Sequence, residues 1–376
     1  MKILFTGGGT AGHIFPIIAV ARELRRLGLE WEFYYLGPKD EFGSILLSQE
    51  GIKVKIILAG KIRRYLGWMA ILENIFDILF KIPAGFLQSF FHIFFLAPDL
   101  IFSKGGYGSL APAFCGWFMQ VTILLHESDV APGLANQVLS RLVSKILVSF
   151  PIAQTEYFSE KKMVSLGNPI RVELLNGSRE RAKEFFKLTG EKPVILIMGG
   201  SQGAQKINDT ILEILPQILS EFELIHQTGE KNFEEVRNES KVVITPELER
   251  FYHPIGFLKE IELREAYAAS GLILSRAGSG SIFEIAALGK PSVLVPLALA
   301  AQDHQAKNAY AYADGSRGAT LVIEESNLTP RFLLEKIKYI FAVPGELAKM
   351  SKAAKLFAKP DSGRLIAEYM MNYYKK

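Results

Sequence analysis

The 376-residue sequence contains a single cysteine, Cys115. An internal disulfide is therefore excluded, and a reducing compartment such as the cytoplasm is expected. The setting of that cysteine, AFCGWF, favours a buried thiol over a nucleophile. Charge of one sign is scarce as well: 43 Lys and Arg against 39 Asp and Glu leave a formal net charge of +4. Such a weak field gives no reason to expect nucleic acid as a partner, though it suits an anionic substrate or an acidic membrane face. No uninterrupted apolar run reaches the ~20 residues of a spanning helix. Residues 66–97 come nearest, but Glu73, Asp77, Lys81 and Pro83 interrupt them. That stretch reads as two amphipathic helices broken at Pro83, serving as a core pair or as a membrane-facing surface. Met1 and Lys2 lead straight into a strand, so no signal peptide is expected.

What the chain does have is alternation. KILFT, WEFYYLG, KVKIIL, PDLIFS, VTILLH and KILVSF are strand-like runs, each followed by helix or loop. The pattern pauses near GNPIR (167–171) and restarts with PVILIMGG, ELIHQTG, KVVIT, GLILSRAG and PSVLVPL. Alternation of this kind predicts parallel sheets wrapped by helices, and the length predicts two domains. The restart echoes the beginning, ILFTGGGTAG against ILIMGGSQGA. Two Rossmann-like domains are expected, over 1–171 and 172–359, with a terminal helix in 360–376 packing back on the first.

Four of these strands run into glycine-rich loops: GGGTAG (7–12), KGGYGS (104–109), GGSQGA (199–204) and RAGSGS (276–281). The first satisfies G-x-G-x-x-G, but the second strand ends in Leu36-Gly37 with Glu32 too early to hold a ribose, so a nicotinamide dinucleotide site is disfavoured. Gly12 precedes His13-Ile14, which excludes a P-loop. Glycines still let the backbone approach a ligand, and the helix that follows attracts an anion. Parallel sheets place ligands at the carboxyl ends of their strands. Four such loops, expected to face one inter-domain cleft, point to two phosphorylated substrates and to group transfer from a nucleotide donor.

GGGTAGHIFP, KGGYGSLAP, HESDVAPGLAN, GNPIR, GGSQGA, SRAGSGSIFEIAALGKPSVLVP and DHQAKNA together resemble the MurG family over nearly the whole chain. The resemblance implies a two-domain α/β GT-B fold and an inverting transfer of N-acetylglucosamine from UDP-N-acetylglucosamine to a polyprenyl-pyrophosphoryl-muramyl-peptide, with no metal and no cofactor. It further implies a peripheral protein on the cytoplasmic face of the cell membrane, with cell-wall synthesis or division proteins as candidate partners. Residue by residue, Glu284 would hold the ribose hydroxyls, Ser201 and Arg171 the diphosphate, Leu258 the uracil and Gln305 the sugar. Thr10, Ala11, Gly12, Asp129, Ser279, Gly280, Ser281, Ile282 and Phe283 complete the donor side. Gly8, Gly9, Gly105, Gly106, Tyr107 and Asn136 belong to the acceptor side.

His13 stands at the start of a helix, where a neutral imidazole could take a proton from the acceptor hydroxyl. Glu127 is the rival base. Two positions depart from the family: its HEQN segment is HESD here, with Ser128 and Asp129, and Phe283 replaces a residue that is often small and polar. Membrane contact is expected from Arg63 and Arg64 with Phe90, Phe91, Phe94 and Phe95, since apolar surface beside basic residues suits an anionic bilayer. The competing readings are another GT-B transferase acting on a lipid, or a non-catalytic UDP-sugar-binding membrane protein.

Overall fold

The computed structural model describes residues 1–8, 11–28, 30–61, 68–155, 157–199, 204–298 and 303–374. The chain divides into two compact units, Met1–Ile170 with Asp361–Lys376, and Arg171–Pro360. The first is built on seven parallel strands: β1 Lys2–Thr6, β2 Glu32–Gly37, β3 Lys53–Ile56, β4 Leu100–Ser103, β5 Thr122–Glu127, β6 Lys145–Val148 and β7 Met163–Ser165. Their order is β3-β2-β1-β4-β5-β6-β7. The second holds six parallel strands, β8 Val194–Met198, β9 Glu223–Gln227, β10 Tyr252–Ile255, β11 Leu272–Ser275, β12 Ser292–Leu294 and β13 Thr320–Val322. Their order is β10-β9-β8-β11-β12-β13. In each sheet the order reverses once, beside β1 and β4 in one and beside β8 and β11 in the other.

The central strands are apolar on both faces because helices cover both faces. Ile3, Leu4 and Phe5 are fully buried, as are Ile195, Leu196 and Ile197. The terminal helix Ser362–Tyr374 places Ile366, Ala367 and Met370 in the first unit's core, in a cluster with Ile3, Phe5 and Ile17.

Two sequence expectations are corrected. KVVIT is not a strand: Lys241 to Val243 end the helix Phe233–Val243, with Val242 85% exposed. The strand of that region is β10, YHPI, which the apolar pattern does not advertise. It pairs only with β9 at the sheet's edge, the one place where Pro254 fits without breaking a ladder.

The second correction concerns residues 68–96, which do not break at Pro83. A helix Trp68–Phe76 continues through a π-helical stretch Asp77–Lys81 into the helix Ile82–Leu96. Ile82 N–H donates to the Asp77 carbonyl five residues back, and this wider turn carries the run past Pro83, which stands in the first turn of the last segment. The whole run is long and apolar enough to cross a bilayer by length and composition. One side of it, however, is tied to the first unit. Leu58 N–H donates to Gln88 Oε1 at 2.7 Å, and Lys61 N–H to Asp77 Oδ2 at 3.0 Å.

The terminal helix supplies a stability prediction. Met370→Ala should destabilise the first unit by ~2–5 kcal/mol, the cost of emptying a buried site. All three tryptophans (Trp31, Trp68, Trp117) lie in that unit, so urea unfolding followed by tryptophan fluorescence reads it directly. An unchanged midpoint would mean that the helix is not part of the core.

Candidate active site

In the first unit the strand exits around the order reversal bring most of the predicted acceptor-side residues together. His13 lies in the first turn of the helix Ala11–Arg26, and its ring rests on the glycine loops. A Cβ at Gly8 would stand 3.1 Å from His13 Nδ1, and one at Gly106 would stand 3.1 Å from His13 Nε2. Gly105 and Gly106 also have φ of +81° and +82°, which favours glycine. A side chain at Gly105 would collide with the Asn136 carboxamide. Asn136 in turn donates from Nδ2 to Glu127 Oε2 at 2.6 Å, while Asp129 N–H donates to Glu127 Oε1 at 2.9 Å. Glu127 ends β5 and is 4% exposed. Gly12 is exposed at the helix start, and Tyr107 opens a short 3-10 turn within the second loop. Gly9, Thr10, Ser201, Arg63 and Arg64, and the side chain of Ala11, lie outside the described residues.

The first residue of the second loop, Lys104, is one that the sequence reading passed over. It follows β4, is 3% exposed, and donates from Nζ to Ser128 Oγ. Ser128 Oγ donates onward to Asn168 Oδ1 at 2.8 Å. Burial pushes the Lys104 ammonium below its usual range, opposed by the Glu127 and Asp129 carboxylates. Burial and the Asp129 charge push Glu127 above the usual carboxylate range, and the Asp129 amide, Lys104 and Asn136 pull back. His13 is lowered to about 4 by burial and then by Lys104, with Asp129 opposing. Its imidazole is therefore neutral at physiological pH. His126, buried and bonded through Nε2 to the Gly167 carbonyl at 3.0 Å, is a structural residue. The legible signal for Lys104 was a lysine heading a glycine loop directly after an apolar strand.

In the second unit the helix Ser279–Ala287 begins after β11 with no acidic residue in its first turn and no side-chain cap. Its first amides are thus available to an anion. A Cβ at Gly278 or Gly280 would meet no atom of the described residues within 4 Å. The protein's own packing does not require glycine there, whereas close approach of a ligand would. Glu284 is held by Arg171, whose Nε and Nη2 donate to Oε1 at 3.2 and 2.8 Å, and by Tyr267, whose hydroxyl donates to Oε2 at 3.2 Å. The Arg171–Glu284 pair, 113 positions apart in sequence, was not foreseen. Leu258 is 2% exposed, and its N–H donates to Gln227 Oε1. Gln305 Oε1 accepts from Leu297 N–H at 3.0 Å. Ile282 and Phe283 point their side chains into the core, the Phe283 ring centroid 5.5 Å from that of Phe357. Only their backbone is left to serve a ligand. Among the described residues no cluster of His, Cys, Asp or Glu is arranged to hold a metal ion.

The four phenylalanines of the apolar run separate. Phe91, Phe94 and Phe95 are exposed, the last at 78%, whereas Phe90 packs partly into the first unit's core and near Phe118. Trp68, Leu79, Phe80, Trp117 and Phe118 extend the exposed apolar surface beyond the residues expected from sequence.

Comparison with known proteins places these features in a family. Residues 3–148 match the glycosyltransferase family 28 N-terminal domain, and residues 194–365 match the family 28 C-terminal domain. A UDP-N-acetylglucosamine–N-acetylmuramyl-(pentapeptide) pyrophosphoryl-undecaprenol N-acetylglucosamine transferase of Bacillus cereus is 37% identical over 338 residues, 90% of each chain. The enzyme of that name from Clostridium tetani is 37% identical over 341 residues, again 90% of each chain. Among solved structures, Acinetobacter baumannii MurG superimposes with a TM-score of 0.72 at 24% identity, covering 99% of both chains. With the sheet orders described above, that likeness gives the GT-B fold class expected from sequence. At this identity and coverage the chain belongs to the MurG family of N-acetylglucosamine transferases.

Proposed function

We propose that this chain transfers N-acetylglucosamine from UDP-N-acetylglucosamine to the C4 hydroxyl of a polyprenyl-pyrophosphoryl N-acetylmuramyl-pentapeptide, with inversion at the anomeric carbon. The observation that carries the reading is identity at 37% to transferases of that name over 90% of the chain. The matched family segments include β1, β4, β8 and β11, whose exits carry the glycine loops.

On this reading the second unit holds the donor. The free amides at the start of Ser279–Ala287 face the diphosphate. The Glu284 carboxylate keeps lone pairs for two ribose hydroxyls while Arg171 and Tyr267 fix its direction. Arg171 is thus a positioning residue for Glu284 more than a diphosphate ligand. Leu258 lies at the uracil and Gln305 at the sugar. The first unit holds the acceptor through Gly8, Gly9, Gly105, Gly106, Tyr107 and Asn136. The acceptor O4 attacks the anomeric carbon and passes its proton to His13. The bond from that carbon to the UDP oxygen breaks, and the charge that develops on UDP meets the helix amino terminus. Glu127, with both oxygens engaged, holds Asn136 and the Asp129 amide in place. The exposed apolar helix rests on the membrane carrying the acceptor, and we place the protein peripherally on its cytoplasmic face.

Four outcomes follow from this assignment. Glu284→Ala should weaken UDP binding by ~1–3 kcal/mol, the loss of charge-assisted hydrogen bonds; calorimetry on a variant with a native circular dichroism spectrum checks this, and unchanged affinity removes Glu284 from the site. His13→Ala should spare UDP affinity and slow single-turnover transfer by ~10²–10⁴-fold. Because His13 is lowered from 6.5 to about 4, the wild-type rate should stay flat as pH falls through 6.5 and drop only towards 4. A limb nearer neutrality, kept in His13→Ala and lost in Glu127→Gln, would transfer the base role to the carboxylate. Replacing Phe91, Phe94 and Phe95 by Ser should release a folded protein from anionic vesicles in a flotation assay, and continued flotation with the vesicles would remove that face from membrane binding.

A further inference from the structure

Between the helices Ile82–Leu96, Leu110–Phe118 and Leu134–Leu139 and the segment after β3, the first unit contains a half-open cavity of about 250 Å³. Its walls come from Leu58, Ile82, Phe86, Leu110, Phe114 and Leu142, and among the described residues none that lines it is charged. Tyr107 and Gly108 also line it, and they follow Gly105 and Gly106 directly in the chain. The protein's own bonds brace the walls of this cavity. Gln88 and Asp77 accept the amides of Leu58 and Lys61, fixing the segment that forms one wall. Gly85 lets the Leu58 carbonyl approach where any Cβ would collide with it.

We propose that this cavity receives the first isoprene units of the lipid-linked acceptor. The inference rests on the functional reading above, which puts the acceptor pyrophosphate at Gly105–Tyr107. In a polyprenyl pyrophosphate the hydrocarbon begins at the ester oxygen, so it must leave that loop into water, protein or bilayer. The cavity starts at Tyr107 and Gly108, and its described walls are almost wholly apolar. It is also continuous with the exposed apolar surface, since Phe114 and Val138 line it while remaining 41% and 57% exposed. The chain is thereby led from the polar loop towards the membrane without crossing water, and the cavity reads the branched hydrocarbon nearest the phosphate.

Calorimetry with geranyl pyrophosphate and with inorganic pyrophosphate, on the full chain without vesicles or detergent, tests this apart from catalysis. Geranyl pyrophosphate should bind roughly 10–100-fold more tightly, the scale expected for burying a short hydrocarbon. Ala111→Phe, which fills the cavity from the helix Leu110–Phe118, should remove that advantage and leave pyrophosphate binding unchanged. Val138→Trp, at the exposed rim, should do the same and decides the matter should Ala111→Phe fail to fold. Equal affinity of wild type for the two probes, or an advantage kept in a folded filled variant, overturns the proposal. So does loss of the advantage in Phe94→Ser with Phe95→Ser, which would put the prenyl group on the outer surface. The functional reading fails separately, by absence of turnover with UDP-N-acetylglucosamine and the lipid-linked acceptor.

Discussion

The single reversal of strand order in each sheet is the constraint from which the chemistry follows. Parallel strands covered on both faces cannot offer a ligand anything along their length, because every side chain there is needed for packing. Their carboxyl ends are different, since at the reversal neighbouring connections leave in opposite directions and open a crevice. The buried polar groups gather accordingly. Lys104 follows β4, Glu127 and Ser128 stand at the end of β5, and Gln227 and Arg276 stand at the ends of β9 and β11. The glycines of the same exits leave backbone amides uncovered, so one topological feature supplies both the opening and the groups that line it.

Within the first unit, one buried cation organises that opening. A lysine at 3% exposure is costly unless its charge is answered. Here the answer comes from the segment in which the sequence departs from its family. Ser128 accepts from Lys104, and the Asp129 and Glu127 carboxylates both favour its charged form. An amide at 129 would supply no compensating charge, so HESD and the lysine of KGGYGS make sense together. Burial, and after it the same cation, lowers His13, whose neutral ring lies against Gly8 and Gly106. The two departures in HESD, Ser128 and Asp129, thus both act on the lysine that heads the glycine loop.

Most of the architecture was legible because it rests on local signals: apolar runs of strand length, glycine loops and the repetition of that unit. The failures share a cause, which is that a short segment's fate depends on what it meets. The valines of KVVIT have strand composition but close an amphipathic helix begun eight residues earlier at Phe233. YHPI carries a proline and looks like a loop, yet an edge position tolerates it. Phe283 stands in a donor-side segment, yet its helix turns that side chain into the core against Phe357. Arg171 and Glu284 could each be assigned to the donor separately, but their pairing joins distant parts of the second unit and leaves no mark in sequence.

The apolar helical run shows why composition alone misreads a surface. Its length and hydropathy satisfy the test for a spanning helix, and its outward side chains are exposed. A spanning helix must satisfy its polar side chains within itself or against other buried protein. Asp77 and Gln88 instead accept backbone amides of the segment that follows β3, and Gly85, Ser89 and Ile93 are buried in the same unit. One side is therefore committed to the protein, and inserting the run across a bilayer would tear out the carboxylate at Asp77 along with its partners. Lying along the interface keeps those bonds and still lets Phe91, Phe94 and Phe95 leave water. Of the interruptions in the sequence, Asp77 is the one that ties the run to the segment after β3, with Lys81 paired to it at 2.6 Å.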